Sequence, residues 1–465
     1  MYSSPFRSLY GAKFLKTDGS DLRRRAAING HLLKERRETY QNNVTLTINF
    51  RARQQECVPM SAPRFAARVA QVAPFEVMAV LAQAIELDRQ GRDVVHLEVG
   101  EPDFPTAAPI VAAAHAAIDA GATKYTAALG LLALREAICD YYLRYYGLTI
   151  PVERIVITAG ATGGLLLLSA LLMDPGDGLL MTDPGYPCNR NFMQLFAAEA
   201  QAMPVDATAN YQPDAAVLGA AWRENTRGVL LASPANPTGA VLTDMQLRDL
   251  AQVCRERDGF VIVDEIYQGL TFPDDARMPC PGHGNTGLAG VSGTALSTVP
   301  DAYVINSFSK YFGMTGWRLG WIVAPQAAVP ALERLAQNFV IAPSTIAQHA
   351  AIAALSPECV AIHEVRREEL RARRDYLGVA LRELGFGLSH LPQGAFYLYA
   401  DIAALGTDSR VFCQRALLEA GVAITPGYDF GDFRAAEHVR FACTSPIPRL
   451  REAVGRLATM LGRAT

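Results

Sequence analysis

The sequence predicts an α/β fold, and three observations lead there. From residue 154 onward, short apolar runs of strand length alternate with helical patterns, at residues 154–158, 178–182, 227–232, 260–263 and 303–305. The run 260–263 is apolar throughout, as a fully buried strand is. With 465 residues, 50% of them hydrophobic, the chain can build a large core divided into about two or three domains.

Bulk properties exclude several classes of function. A formal net charge of -3 advertises neither nucleic acid nor an anionic membrane as partner. No apolar run reaches the roughly 18 residues of a membrane span, and the greasiest, 165–173, stops at Asp174-Pro175-Gly176. The eight cysteines (Cys57, Cys139, Cys188, Cys254, Cys280, Cys359, Cys413, Cys443) contain no Cys-x-x-Cys pair. Neither a metal site nor a disulfide framework is expected, and reduced thiols in a cytoplasmic enzyme fit best.

Residues 1–59 are basic and polar, with Arg23-Arg24-Arg25 and Lys34-Glu35-Arg36-Arg37, and lack the apolar core of a signal peptide. They are expected to be a flexible extension, or a product of upstream start-site choice with Met60 the natural start. From residue 64 the pattern changes. Residues 75–90 read as an amphipathic helix ending near Gly91, 93–99 as a strand and 109–120 as a helix. Gly160-Ala161-Thr162-Gly163-Gly164 turns into a helix over 165–173, and small residues at a helix start leave backbone N–H groups free for a phosphate. It is neither a Walker loop nor a dinucleotide fingerprint. Residues 272–299 form a loop rich in Gly, Pro and Ser. Helices follow at 327–339, 344–354 and 360–384, the last so rich in Arg and Glu that it reads as a solvated face. A strand is expected to begin at 392–397, and another covers 438–442.

The most informative stretch is 303–321. A buried strand breaks into Ser307-Phe308-Ser309-Lys310, a turn follows at Gly313 and Gly316, and Arg318 precedes a second strand, 319–323. A lysine beside small hydroxyl residues, with an arginine returning shortly after, suits a phosphorylated aldehyde: the amine condenses with the carbonyl while hydroxyls and guanidinium hold the phosphate. Lysine is scarce. Apart from Lys13, Lys16 and Lys34 in the first sixty residues, the chain has only Lys124 and Lys310.

This stretch resembles the lysine signature of the class I aminotransferases, fold type I enzymes of pyridoxal 5′-phosphate. The family pattern Ser-x-Ser-Lys, a spacer, then Gly-x-Arg-x-Gly stands here as Ser307, Ser309, Lys310, Gly316, Arg318 and Gly320. Further matches fall in family order: Gly100-Glu101-Pro102-Asp103-Phe104, Tyr125 before Gly130 and Leu134-Arg135, Asn236-Pro237-Thr238-Gly239, and Gly394-Ala395-Phe396-Tyr397. The resemblance covers about residues 64–463.

The resemblance implies a large domain with a mostly parallel sheet flanked by helices, and a smaller α+β domain. The expected division is 1–59 extension, 60–105 arm, 106–343 cofactor domain and 344–465 small domain. It implies that Lys310 is catalytic and anchors the cofactor, that Asp264 partners the pyridine nitrogen, and that Asn236 and Tyr267 donate to the phenolic oxygen. Tyr186 would stack on the ring. Gly160, Ala161, Thr162, Ser307, Ser309 and Arg318 would anchor the phosphate, joined by Tyr125 from a second subunit, so that a homodimer shares its sites. Arg440 would grip the substrate α-carboxylate, with Gly100 and Asn236 beside it. The implied activity moves an amino group from an L-amino acid to a 2-oxo acid, 2-oxoglutarate or pyruvate, by a ping-pong route. Some aspartate-using relatives carry a lysine where Thr162 stands, and no second arginine is evident; a neutral or apolar donor fits at least as well as a dicarboxylate. Two other readings stay open: a carbon–sulfur lyase on the same fold, and an aminotransferase-like regulator, for which residues 1–59 are too short to supply a winged helix.

Overall fold

The computed structural model describes residues 64–272 and 293–463. The expectations for residues 1–59, for Cys57 and Cys280, and for most of the 272–299 loop lie outside the described residues. The strands in chain order are β1 (Val95–His96), β2 (Ile155–Thr158), β3 (Gly178–Asp183), β4 (Glu199–Pro204), β5 (Thr226–Ala232), β6 (Phe260–Asp264), β7 (Tyr303–Ser307), β8 (Gly320–Val323), β9 (Tyr397–Asp401), β10 (Val422–Ala423), β11 (Thr425–Pro426) and β12 (His438–Ala442).

Seven of them form one sheet in the order β2-β8-β7-β6-β5-β3-β4. Only β8 runs against its neighbours β2 and β7; the other pairings are parallel. Alternate side chains feed two cores. Ile157, Val229, Val263, Val304 and Trp321 pack on one face, and Val156, Leu230, Ile262, Ile305 and Ile322 on the other. Both faces are covered by helices, so the strands read as apolar runs instead of alternating with polar residues. The carboxyl ends of β2, β3, β5, β6 and β7 open on one edge, the usual ligand edge of such sheets.

A second, antiparallel sheet has the order β11-β12-β9, and β1 pairs with β10 beside it. Their core holds Leu398, Val439, Phe441, Phe412 and Leu450. Residues from Phe65 to Thr465 form one compact unit.

Four sequence expectations change. The glycine-rich stretch is already helix and not a turn leading into one at 165: the helix spans Gly160–Leu172, with Gly160, Ala161 and Gly164 buried in it. A Cβ at Gly164 would meet Ile322 and Thr158 side chains at 3.3 and 3.5 Å, so small residues here serve close packing on the sheet as well as a free helix start. The predicted strand 93–99 survives only as β1. Beyond it the backbone turns to serve side chains: Glu98 O accepts from Arg440 (2.6 Å) and Thr425 (3.0 Å), and Gly100 O from Lys310 (2.6 Å). The predicted start at 392–397 is likewise not yet strand, because Gly394 and Ala395 donate to Gly239 O and Leu270 O before β9 begins at Tyr397.

The charged helix, Pro357–Glu383, is not a solvated face throughout. Arg367, Arg373 and Arg374 are buried. Arg373 donates to Asp103 (2.7 Å), Glu369 (3.0 Å) and the Thr444 carbonyl (2.6 Å), and Arg374 donates to the Pro392 carbonyl at 2.6 Å. Arg367 reaches the Thr271 carbonyl at 2.9 Å. Helical spacing alone cannot separate an arginine facing water from one that ties together loops distant in sequence. Replacement of Arg373 by leucine is expected to lower stability by about 2 kcal/mol, read as a lower urea midpoint, because a buried guanidinium loses its bonds to two carboxylates and to the buried Thr444 carbonyl together.

Candidate active site

The open edge of the seven-stranded sheet bounds a cavity of about 230 Å³. Most of its walls come from strand ends and the turns that follow them. β6 delivers Asp264, the turn after β5 delivers Asn236, the turn after β3 delivers Tyr186, and the turn after β7 delivers Ser309 and Lys310. The helix starting at Gly160 adds Ala161 and Thr162, the segment after β1 adds Gly100, and β12 of the smaller sheet adds Arg440.

Lys310 stands in the middle. Its Nζ donates to Gly100 O at 2.6 Å and lies 5.9 Å from the Tyr267 ring centre. Burial, with the charges of Arg440 and Arg318 adding to it, lowers its proton affinity from the ordinary lysine value to a pKa of about 8. Asp264 is buried and accepts a hydrogen bond from the Ile266 amide at 3.0 Å. Burial raises its pKa to about 6, against the opposing effects of that bond and of Lys310. A carboxyl so placed favours a cationic partner. Its neighbour Glu265 faces away, held by Thr294 Oγ1 at 3.0 Å and by the Ala295 amide at 2.5 Å.

The opposite end gathers groups that suit a phosphate. Ser307 Oγ donates to Ser309 Oγ at 2.9 Å and accepts from the Ser309 amide at 3.0 Å, which aims Ser309 into the cavity from a buried Ser307. Arg318 has φ 53°, a left-handed conformation uncommon outside glycine, and donates to the Thr315 carbonyl at 3.0 Å. Gly160, at φ +73°, has no side chain where a Cβ would stand 2.9 Å from the Arg318 guanidinium. A Cβ on Gly320 would stand 2.9 Å from the Ala161 amide.

Arg440 closes the third side. Its guanidinium donates to Asn236 Oδ1 at 2.8 Å and to Glu98 O at 2.6 Å, while its buried Nε has no partner. The Tyr397 and Phe430 rings lie 4.2 and 4.7 Å from its central carbon. Tyr267 and Tyr397 share a hydrogen bond at 2.7 Å. Tyr186 meets Phe75 edge to face at 6.3 Å.

The structure thus brings together Lys310, Asp264, Asn236, Tyr267, Tyr186, Ala161, Thr162, Ser309, Arg318, Gly100 and Arg440 around one cavity, with Ser307 and Gly160 directly behind it. Tyr125 is apart from it, 82% exposed on the surface of the single chain. Gly100 makes its close approach to Tyr397, since a Cβ there would fall 1.8 Å from the Tyr397 hydroxyl. Cavity residues to which the sequence assigned no role include Phe75, Met78, Glu101, Ile266, Thr315 and Tyr397. Tyr397 lay within a quoted motif, and its hydroxyl contact with Tyr267 joins positions 130 apart.

An acidic end, a central amine and a cradle of hydroxyl, guanidinium and amide donors match the ring nitrogen, aldehyde and phosphate of pyridoxal 5′-phosphate. The unpartnered Arg440 Nε matches an anionic group beside it. Because the Lys310 pKa is about 8, acetylation of that amine in cofactor-free protein should rise with pH to a half-maximum near 8, read by peptide mass mapping with Lys124 as the exposed control.

The model of the family "Aminotransferase class I and II" matches residues 92–457. The valine–pyruvate aminotransferase of Mycobacterium tuberculosis is 38% identical, over 84% of this chain and 97% of the relative. The aspartate/prephenate aminotransferase of Thermus thermophilus is 35% identical, over 85% of this chain and 98% of the relative. Among solved structures, an aminotransferase from Mycobacterium tuberculosis matches with a TM-score of 0.80 at 37% identity, over 86% of this chain and 100% of the other. The aspartate aminotransferase from Thermus thermophilus with maleate matches with a TM-score of 0.78 at 32% identity, again over 86% and 100%.

Proposed function

We propose a substrate class for this chain on the premise that it belongs to the class I and II aminotransferases and is a pyridoxal 5′-phosphate-dependent enzyme: the amino donor is a neutral or apolar L-amino acid, and the acceptor a 2-oxo acid, pyruvate or 2-oxoglutarate. The observation that carries this reading is the composition of the cavity wall. Phe75, Val77, Met78, Val99, Leu165 and Ile266 line it, and its only cations besides Lys310 are Arg318 and Arg440, among the described residues. One guanidinium lies in the phosphate cradle and the other suits the α-carboxylate, which leaves an apolar wall for the side chain. The relative named for valine and pyruvate agrees with this, whereas the one named for aspartate and prephenate is the competing model. Each named relative is an aminotransferase, which favours transfer over elimination.

When bound, pyridoxal phosphate supplies an aldehyde for the amino group and a ring that takes up the electrons released at Cα. Lys310, Asp264, Asn236, Tyr267, Ser309 and Arg318 would hold it, with Tyr186 against its ring. Arg440 receives the substrate carboxylate in a bidentate grip, helped by Asn236, and so fixes which Cα bond faces Lys310. Lys310 Nζ, kept short of full protonation by burial and by two guanidinium charges, would take the proton from Cα and deliver it to the carbon on the other side of the amino nitrogen. Asp264 keeps a proton on the group it faces, because an uncompensated carboxylate at that depth is costly. Phe75 and Tyr186 exclude water on the open side.

The reading also includes a homodimer, supported by the exposure of Tyr125 and the resemblance of its motif, and a cytoplasmic location, supported by Cys254, Cys359, Cys413 and Cys443 being buried free thiols. Among the described residues no helix is long and apolar enough to cross a membrane.

Two measurements test these assignments. With no acceptor present, valine or leucine is expected to bleach the visible absorbance of the holoenzyme at least about tenfold faster than aspartate or glutamate. A faster reaction with aspartate would reverse the substrate proposal. Asp264→Ala is expected to lower kcat by about 10²–10³ while leaving the visible band in place. An unchanged kcat would remove Asp264 from the site.

A further inference from the structure

On the far side of Lys310 lies a second cavity, also of about 230 Å³. Glu101, Ser309, Lys310 and Thr315 line both cavities, so the lysine side chain is part of the partition between them. The second cavity is walled by the helix Pro357–Glu383, which contributes His363, Arg366, Arg367 and Leu370. His363 is 1% exposed, and neither of its ring nitrogens has a hydrogen-bond partner. One terminal nitrogen of Arg366 is buried and equally without a partner.

Of the two guanidinium groups on this cavity, only Arg366 has no carboxylate against it among the described residues. Arg367 is neutralised by Glu364 and Glu368, both at 2.9 Å. Glu364 in turn accepts from the Tyr311 hydroxyl at 2.6 Å. Glu101, exposed at the rim, accepts from the Thr315 hydroxyl. The contact shown by the Arg366 guanidinium is with the Phe104 ring, 5.4 Å away, which screens a cation but accepts no N–H in its plane. Burial and the charge of Arg366 keep His363 neutral, so its imidazole offers one N–H and one lone pair. Buried donors left open in a roomy polar cavity signify a bound partner, and a cationic donor without a carboxylate favours an anion over water.

We propose that this second cavity binds a small monovalent anion, a halide or a short carboxylate such as formate, between the Arg366 guanidinium and the His363 ring N–H, on the side of Lys310 away from the substrate cavity. The bound charge lies next to the partition lysine and opposes the influence of Arg318 and Arg440 on it, so occupancy raises the proton affinity there.

Crystals of the full chain with its cofactor, grown in sodium bromide, provide the test. An anomalous bromide peak between Arg366 and His363 is expected, and its absence, with water refined in that place, overturns the proposal. In solution at equal ionic strength, bromide should raise the melting midpoint over gluconate by about 1–2 °C, and Arg366→Gln should abolish that rise. An equal rise in both proteins overturns the assignment to Arg366. If the variant does not fold, the wild-type diffraction decides alone. Bromide should also move the pH midpoint of the cofactor's visible absorbance upward in the wild type and less in Arg366→Gln; equal shifts would place the effective anion at Arg440 and overturn the coupling to Lys310.

Discussion

The clamp on Arg440 is the contact on which the rest of the site depends. Its guanidinium is buried, and the groups that touch it directly are neutral, Asn236 Oδ1, the Glu98 carbonyl and two aromatic faces, with the Asp429 carboxyl within reach of its field. Carbonyl dipoles and π faces stabilise the charge without cancelling it, so the cavity keeps an unspent positive potential. The same group joins three distant parts of the chain. Arg440 lies on β12 of the smaller sheet, Asn236 follows β5 of the larger one, and Glu98 follows β1. A shift of the smaller sheet by one residue would turn Arg440 to the opposite face and dismantle the cavity wall.

Around that clamp, the reversed strand β8 explains why Lys310 and Arg318 stand close although they face the cavity from opposite sides of a turn. β7 runs toward the open edge, the chain turns there, and β8 runs back. Everything between Ser307 and Gly320 is therefore confined to the mouth of the sheet. The left-handed backbone at Arg318 is a cost of that confinement, offset by the carbonyl bond to Thr315 and by the packing of Leu319 and Trp321.

Legibility in the sequence followed the locality of the signal. Strands such as β5, β6 and β7 were visible because burial on both faces makes them apolar end to end. The residues that end those strands were visible because their order along the chain is a family pattern. What stayed hidden depended on contacts distant in sequence. Nothing near Arg373 or Arg374 announces Asp103, Thr444 or Pro392 as their partners. Nothing near Glu98 or Gly100 announces that their carbonyls leave the β ladder to receive Arg440 and Lys310. The helix begins at Gly160 and not at Leu165, where the sequence places it, because glycine has low helix propensity and packing against Ile322 overrides that propensity.

The helix Pro357–Glu383 is 27 residues long and so extends about 40 Å. Its arginines grip carbonyl groups at several points along that length: Thr271 near the sheet edge by Arg367, and Thr444 and Pro392 farther along by Arg373 and Arg374. The loops at Thr271, Pro392 and Thr444 are thereby pinned to one straight segment, and none of them can move away from the others without breaking a charge-assisted bond to it.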